Sequence, residues 1–157
     1  MTGPACEAPK FNGQIVLIAE SNPLIALDLA EMFRSWGARP QLYYDLVGSA
    51  QLAAPAMVQL AVIDIPHLYQ PLVGLVDELR RRGVPTALTS VCGPEFVSRH
   101  FPGMIIFGKP VNCAALARRL NSAVQRPGPA RSIRPRHSGE GFAWSRTSMT
   151  NPISCHG

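Results

Sequence analysis

Short, uninterrupted apolar runs alternate along this chain with segments in which apolar residues recur every three or four positions. The runs are typical of strands buried on both faces, and the periodic segments are typical of helices with one apolar side. The runs predict strands over residues 15–19, 38–44, 58–65, 84–90 and 104–107. The periodic segments predict helices over residues 23–36, about 47–54, 71–82, 94–101 and 111–124.

The first predicted helix has signals at both ends. Asn22 offers a side-chain oxygen to the amides of the first turn, and Pro23 follows at a position where a missing N–H is tolerated. Gly37 stands at the other end, where a left-handed residue commonly closes a helix. The pattern therefore places Glu20 and Ser21 in a short connection between a buried strand and a helix.

The alternation of strand and helix predicts an α/β domain, a doubly wound parallel sheet with helices on both faces. In such sheets ligands bind beyond the carboxyl ends of the strands. Side chains that can do chemistry stand at four of these ends: Glu20, Asp64, the neighbouring hydroxyls of Thr89 and Ser90, and Lys109. We therefore expect two acids, a hydroxyl and a lysine to converge on one edge of the sheet.

Four stretches, in this order, resemble the receiver domain of bacterial two-component response regulators: IVLIAESNPLIALDLAEMF, LAVIDI, ALTS and FGKP. The resemblance covers residues 13–125. The successive spacings of 44, 25 and 20 residues between Glu20, Asp64, Thr89 and Lys109 also suit that family. The resemblance implies a flavodoxin-like fold with five parallel strands in the order 2-1-3-4-5.

In that family an aspartate accepts a phosphoryl group from a phosphohistidine on a sensor histidine kinase or a phosphotransfer protein. The resemblance implies that Asp64 is the phosphoacceptor. It also implies a site for Mg²⁺, a hard cation that prefers oxygen ligands. The ligands would be Glu20, Asp64 and the backbone carbonyl of Pro66. Thr89 and Lys109 would contact the phosphoryl oxygens, and the signal would reach a downstream protein target by direct contact.

The chain departs from the family pattern at three places. Ser21 stands where a second acid usually follows the first strand. It is a poor Mg²⁺ ligand, and the loss of one carboxylate would weaken binding by about 1–3 kcal/mol. Ile106 replaces an aromatic residue that often forms the switch together with the hydroxyl of Thr89. His67 and Tyr69 make the loop after the third strand bulkier than usual.

These departures keep a second function open, that of a degenerate pseudo-receiver that binds partners without phosphorylation. The site residues also have plain structural interpretations: Asp64 as a turn residue, Glu20 as an acid at a helix N-terminus, Lys109 as a surface lysine. A third class, a small enzyme on the same scaffold, is disfavoured because the sequence places no His or Cys beside an acid at the strand ends. We therefore predict a protein that is not an enzyme.

The net charge of +5 belongs mainly to the end of the chain. Residues 125–157 carry five Arg and one Glu, a net of +4, and are rich in Pro, Gly and Ser. Such a segment cannot offset its ordering entropy by burial, so we predict a disordered tail over residues 126–157 and a flexible leader over residues 1–12. The arginines form no helix face or base-reading module. This disfavours nucleic acid as a partner, apart from salt-sensitive contact with the tail.

The sequence also predicts a compartment. No run of about 18 apolar residues is present, so we expect neither a transmembrane helix nor a membrane partner. The N-terminus lacks the charged start and apolar stretch of a secretory signal. The four cysteines are far apart and lack zinc spacing, which favours reduced thiols: Cys6, Cys92, Cys113 and Cys155. We therefore predict a cytoplasmic protein.

Overall fold

A computed structural model describes residues 9–44, 54–66 and 70–126 of the chain. The strands in these residues are β1 Ile15–Ala19, β2 Arg39–Tyr43, β3 Leu60–Asp64, β4 Thr86–Ser90 and β5 Ile105–Gly108. The helices are α1 Pro23–Ser35, α2 Gln70–Arg81, α3 Pro94–His100 and α4 Cys113–Gln125. Each of these elements begins and ends within two residues of its predicted bounds.

The five strands form one parallel sheet in the order β2-β1-β3-β4-β5, which confirms the predicted flavodoxin-like fold. In its register Val16 lies opposite Leu60, and Asp64 lies opposite Thr89. β1, β3 and β4 are buried almost throughout because helices cover both faces of the sheet, which explains their uninterrupted apolar runs. β2 is an edge strand, and it contains Pro40, a residue that central strands exclude.

Alternate residues of the strands face two separate cores. Val16 and Ile18 belong to the core formed with α1 and α4, in which Phe33 and Leu120 are fully buried. Leu17 belongs to the core formed with α2 and α3. Burial of each large apolar side chain contributes about 1.5–3 kcal/mol, so both helical layers hold the strand ends in place.

The ends of α1 are where the sequence places them. Asn22 Oδ1 accepts a hydrogen bond from the Leu24 amide at 3.0 Å, which confirms Asn22 as the helix cap. Gly37 follows the helix with a φ of 83°, a left-handed conformation that favours glycine. The cap fixes the direction in which the chain leaves β1, and with it the course of the connection that carries Glu20.

The packed part of the chain begins before residue 13. Phe11 is fully buried, and its ring centroid lies 5.2 Å from that of Phe33. Its amide donates to the Trp36 carbonyl at 2.9 Å. The predicted leader is therefore too long at its end, because Phe11 belongs to the core. Residues 1–8, residues 127–157 and most of the helix predicted over about 47–54 lie outside the described residues.

Two observations concern the compartment that the sequence predicts. Cys92 is disulfide-bonded, so the expectation of a reduced thiol is wrong at this position. Cys113 is a free, partly buried thiol. None of the helices in the described part of the chain is long and apolar enough to cross a membrane.

Candidate functional site

The carboxyl ends of the strands meet at one edge of the sheet, and main-chain hydrogen bonds continue there beyond the strands. The Ile65 amide donates to the Thr89 carbonyl at 2.7 Å, and the Lys109 amide donates to the Ser90 carbonyl at 2.9 Å. The peptide bond between Lys109 and Pro110 is cis. These hydrogen bonds extend the rigid sheet into the connections that carry the candidate residues.

One ammonium group joins two acids at this edge. Lys109 Nζ lies 2.8 Å from Glu20 Oε2 and 2.9 Å from Asp64 Oδ1. Glu20 and Asp64 are only 2% and 4% exposed, and the Lys109 side chain is 16% exposed. The structure thus brings together three predicted site residues, two of which are 89 positions apart in sequence.

The two neighbouring hydroxyls at the end of β4 have different partners. Thr89 Oγ1 lies 3.5 Å from Asp64 Oδ1, at the outer limit of a hydrogen bond. Ser90 Oγ donates to the Ile65 carbonyl at 2.7 Å and accepts from the Cys92 amide at 3.0 Å. Thr89 therefore faces the acid, whereas Ser90 ties together the two connections beside it.

The other carboxylate oxygen of Glu20 is also engaged. Its Oε1 accepts from the Asn22 amide at 2.9 Å. The sequence did not indicate this contact, because Asn22 was recognisable only as a helix cap. Ser21, between them, is exposed. The connection therefore contributes one acid to the site, and the cluster of two carboxylates and one ammonium has a net charge of −1.

Burial and neighbouring charges shift the proton affinities of the cluster. Burial raises the pKa of Asp64 above its ordinary value of 3.8; hydrogen bonds from Lys109 and Thr89 oppose the rise, and the charge of Glu20 adds to it. Burial acts to lower the pKa of Lys109, but hydrogen bonding and attraction to the two carboxylates outweigh it and raise that pKa above 10.5. The site thus places a firmly protonated lysine beside a carboxylate whose charged form is disfavoured.

The remaining predicted residues lie near this cluster or outside the described residues. Pro66 is half-buried and follows Asp64 by two positions. Ile106 is partly buried and packs against the core shared with α2 and α3. The predicted switch position on β5 therefore lies on the α3 side of the sheet. His67 and Tyr69 are outside the described residues.

The donor atoms of the cluster can be compared with the requirements of Mg²⁺. Glu20 and Asp64 supply carboxylate oxygens, which this cation prefers, and Mg²⁺ usually retains several waters. Within residues 9–44, 54–66 and 70–126, no group of three or more His, Cys, Asp or Glu side chains forms a metal-binding cluster. A divalent cation would also compete with Lys109 for both acids. The donors fit Mg²⁺ in kind but are few in number.

No protein-family model matches the chain, and no curated protein matches it in sequence. Solved structures do match. The receiver domain of Francisella response regulator 1452 is 20% identical, with 74% of this chain and 100% of that chain covered and a TM-score of 0.57. A response regulator receiver protein from Sinorhizobium medicae is 18% identical, with 76% and 100% covered and a TM-score of 0.58. An orphan response regulator of H. pylori is 13% identical, with 74% and 99% covered and a TM-score of 0.55.

These similarities show that the chain has the fold of a response regulator receiver domain, as the four sequence stretches predict. The match extends over essentially the whole length of the solved receiver domains. At identities of 20% or less a shared fold does not assign functional roles, so the roles of the residues rest on the geometry of the site.

Proposed function

We propose that this chain is a signalling receiver domain that accepts a phosphoryl group on Asp64. The donor is a phosphohistidine on a partner sensor histidine kinase or phosphotransfer protein, and the output is contact with another protein. The observation that carries the proposal is the Lys109 ammonium at 2.8 and 2.9 Å from two buried carboxylates, at the carboxyl edge of a receiver fold. Positioning and charge neutralisation are most of what phosphoryl transfer requires.

In this proposal Asp64 is the nucleophile. Its Oδ1 contacts the Lys109 ammonium and the Thr89 hydroxyl, whereas among the described residues no hydrogen bond reaches its Oδ2. Attack by a carboxylate oxygen on phosphorus forms the O–P bond while the P–N bond to the donor imidazole breaks. The electron pair of that bond stays on the nitrogen, which takes a proton from water. Lys109 and Thr89 then stabilise the charge on the oxygens of the acyl phosphate.

We further propose that the site binds Mg²⁺ weakly as a cofactor. Glu20, Asp64 and the backbone carbonyl of Pro66 would hold it, with Ser21 as a neutral and poor additional ligand. When bound, the cation supplies positive charge to the phosphoryl oxygens. Because the protein cluster has a net charge of only −1, these residues attract a divalent cation less than a site with a third carboxylate would.

Thr89 and Ile106 are the proposed switch positions. The Thr89 hydroxyl is 3.5 Å from Asp64 Oδ1, close enough to be drawn toward a phosphoryl group on that residue. Ile106 lies on the adjacent strand, opposite Leu88, and packs on the α3 side. Movement at the end of β4 would therefore alter the face formed by α3 and β5, and phosphorylation would shift a pre-existing equilibrium of that face.

An apolar surface near the same edge supports contact with a protein donor. Leu24 is 72% exposed and Leu27 is 48% exposed, one turn apart in the first half of α1. Exposed apolar residues at this spacing form a surface that another protein can cover. Since α1 begins three residues after Glu20, a partner bound there would lie beside the acidic edge.

The proposal places the protein in the cytoplasm, where histidine kinases obtain ATP, and assigns it no enzymatic turnover. The disulfide at Cys92 is the observation that stands against this compartment, because such bonds are rare in the cytosol. Non-reducing mass analysis of the chain taken from a cytoplasmic fraction tests the placement. A reduced Cys92 there agrees with it, whereas recovery of the chain only from an oxidising compartment contradicts it.

Amide NMR spectra with beryllofluoride and Mg²⁺ test the proposed phosphoacceptor. Beryllofluoride imitates a phosphoryl group on a carboxylate, so we expect shifts at the ends of β3, β4 and β5 and along α3. Asp64→Asn should show no such shifts under the same conditions. Identical spectra of the parent with and without the reagent, or identical shifts in Asp64→Asn, would end the proposal.

Two features of the site favour a second function. Ser21 is exposed and neutral, and Lys109 already balances part of the acidic charge, as suits a pseudo-receiver that binds partners without phosphorylation. Calorimetric Mg²⁺ titration of the parent and of Ser21→Asp separates the two functions. We expect Ser21→Asp to bind Mg²⁺ about tenfold more tightly or better, because it restores one carboxylate. Absence of millimolar binding in both proteins favours the pseudo-receiver.

A further inference from the structure

A second concave site lies at the opposite edge of the sheet from Asp64. It is a cavity of about 510 Å³ at the amino ends of β4 and β5. Its lining comprises residues 83–86, 103–105 and 123–124, together with Gln59, Arg80 and Arg126. The volume is that of a typical ligand pocket. None of the proposed phosphoacceptor residues lines the cavity, so it is a separate site.

The lining combines apolar side chains with positive charge. Four of its apolar residues are only partly buried: Val84, Met104, Ile105 and Val124. Arg80 lies in the last turn of α2, and Arg126 follows α4; both are exposed. No Asp or Glu occurs among the described lining residues. The cavity therefore offers apolar contact and two cationic groups to the same ligand.

The two arginines remain available to an anion. Among the described residues Arg126 has no ion-pair partner. Arg80 pairs with Asp77 at 2.8 Å, but these side chains are 41% and 47% exposed, so solvent weakens the pair. Arg81 adds a further exposed cation to the last turn of α2. This end of the molecule thus has an excess of positive charge around partly exposed apolar side chains.

We propose that the cavity binds an acidic segment of a partner protein, in which a large apolar side chain stands between Asp or Glu residues. The apolar side chain would cover Met104 and Val124, and burial of that surface would supply affinity. The flanking carboxylates would accept charge-assisted hydrogen bonds from Arg80 and Arg126, which set the orientation of the segment.

Other occupants suit the cavity less well. By sequence, residues 127–157 carry four Arg and one Glu, so they would bring like charge to Arg126, and a second copy of a chain with net charge +5 would do the same. A nucleic acid would satisfy the arginines. However, none of the described lining residues is aromatic, so no side chain would stack on a base. An acidic, partly apolar peptide uses both properties of the site.

Fluorescence anisotropy with the full 157-residue chain and a labelled peptide of sequence Asp-Glu-Asp-Leu-Phe-Glu-Asp tests the proposal. We expect saturable binding that weakens as salt rises to about 0.5 M, because the arginine contacts are screened. Two comparison peptides isolate the two requirements. Replacing Leu-Phe by Gly-Gly, or every acid by its amide, should weaken binding by about tenfold.

Charge-reversal variants locate the site. Arg126→Glu should weaken binding of the acidic peptide by about tenfold, and Arg80→Glu by a similar factor. Arg119→Glu is the matched control, because Arg119 is exposed on α4 but does not line the cavity. It changes the net charge equally and should alter the affinity by less than about twofold. Thermal melts of all three variants check that the fold is retained.

Several outcomes would overturn the proposal. These are absence of saturable binding by the parent, or equal weakening in Arg126→Glu and Arg119→Glu, which would indicate attraction to net charge alone. Tighter binding of a single-stranded oligonucleotide, lost in Arg126→Glu, would assign the cavity to nucleic acid instead. Sedimentation that shows concentration-dependent dimers abolished by Arg126→Glu would assign it to a second copy of the chain.

Discussion

At the scale of single residues, Lys109 faces two buried carboxylates, and that imbalance of charge governs the site. Removal of two acids from water is costly, and one ammonium at 2.8 and 2.9 Å offsets only part of that cost. The raised pKa of Asp64 has the same origin, since burial disfavours its charge and Glu20 adds repulsion. A phosphoryl acceptor needs such a cation in place before the group arrives.

Replacement of Lys109 tests how much this cation contributes to the free energy of unfolding. Lys109→Met should lower the free energy of unfolding by about 3 kcal/mol at neutral pH, because it leaves two buried carboxylates without a counter-ion. Urea denaturation measures the loss. The double variant Lys109→Met with Asp64→Asn should recover much of it, because one of the uncompensated charges is then gone. Wild-type stability in Lys109→Met would contradict the described ion pairs.

The pKa of Asp64 gives a prediction with a definite sign. Because it is raised in the folded state, the folded protein binds this proton more tightly than the unfolded chain does. Its contribution to stability therefore falls as pH rises above 3.8 toward the folded-state pKa. Asp64→Asn should unfold at a higher temperature than the parent at neutral pH, with the difference shrinking below pH 3.8.

Asp28→Asn provides the control for that measurement, since Asp28 is an exposed acid on α1. Melting temperatures of the three proteins from pH 3 to pH 8 separate a buried from an exposed carboxyl. A lower melting temperature of Asp64→Asn at neutral pH, or the same pH dependence in both variants, would show that burial of Asp64 does not disfavour its charge.

At the scale of elements, the end of α2 holds the segment that leads into β3. The Arg82 guanidinium donates at 3.2, 3.0 and 2.8 Å to the carbonyls of Ala54, Pro55 and Ala56. Glu78 pairs with Arg82 at 3.3 Å and accepts from the Ala54 amide at 3.3 Å. These bonds attach the segment before β3 to the neighbouring layer, and β3 ends at the proposed phosphoacceptor.

Arg82→Met should therefore destabilise the domain by about 2 kcal/mol, because it keeps the aliphatic stem but removes a charged donor from three carbonyls, of which that of Ala54 is partly buried. Arg81→Met is the matched control, since Arg81 is exposed, and its effect should stay within about 0.5 kcal/mol. Urea denaturation measures both variants. Equal effects of the two would show that the guanidinium contributes only charge.

The parts of this structure differ in how far the sequence predicts them. Convergence of Glu20, Asp64 and Lys109 is predictable, because alternating strands and helices place every strand end on one edge. The hydrogen-bond partners of Ser90 lie in the connections that follow β3 and β4. These connections have no periodic pattern, so the sequence does not predict which atoms Ser90 contacts. Phe11 is buried by a tertiary contact with Phe33, outside any helix or strand. Its neighbours in sequence are polar and small residues without a periodic pattern, so the sequence does not predict this burial.

At the scale of the whole molecule, the sheet separates two sites of different character. The carboxyl edge holds the buried acids with their lysine, and the amino edge holds a cavity with two arginines and apolar walls. β4 and β5 connect the two edges, since Thr86 and Ile105 line the cavity while the hydroxyl of Thr89 and the ammonium of Lys109 reach Asp64. Under the two proposals, the chain would accept its phosphoryl group at one edge and bind a partner at the other.

The most direct test of the account is intact-protein mass spectrometry after incubation with acetyl phosphate and Mg²⁺. We expect the parent chain and the Asp28→Asn control each to gain the mass of one phosphoryl group, whereas Asp64→Asn should gain none. An unchanged mass for the parent, or an equal gain in Asp64→Asn, would contradict the assignment of Asp64 as the phosphoacceptor.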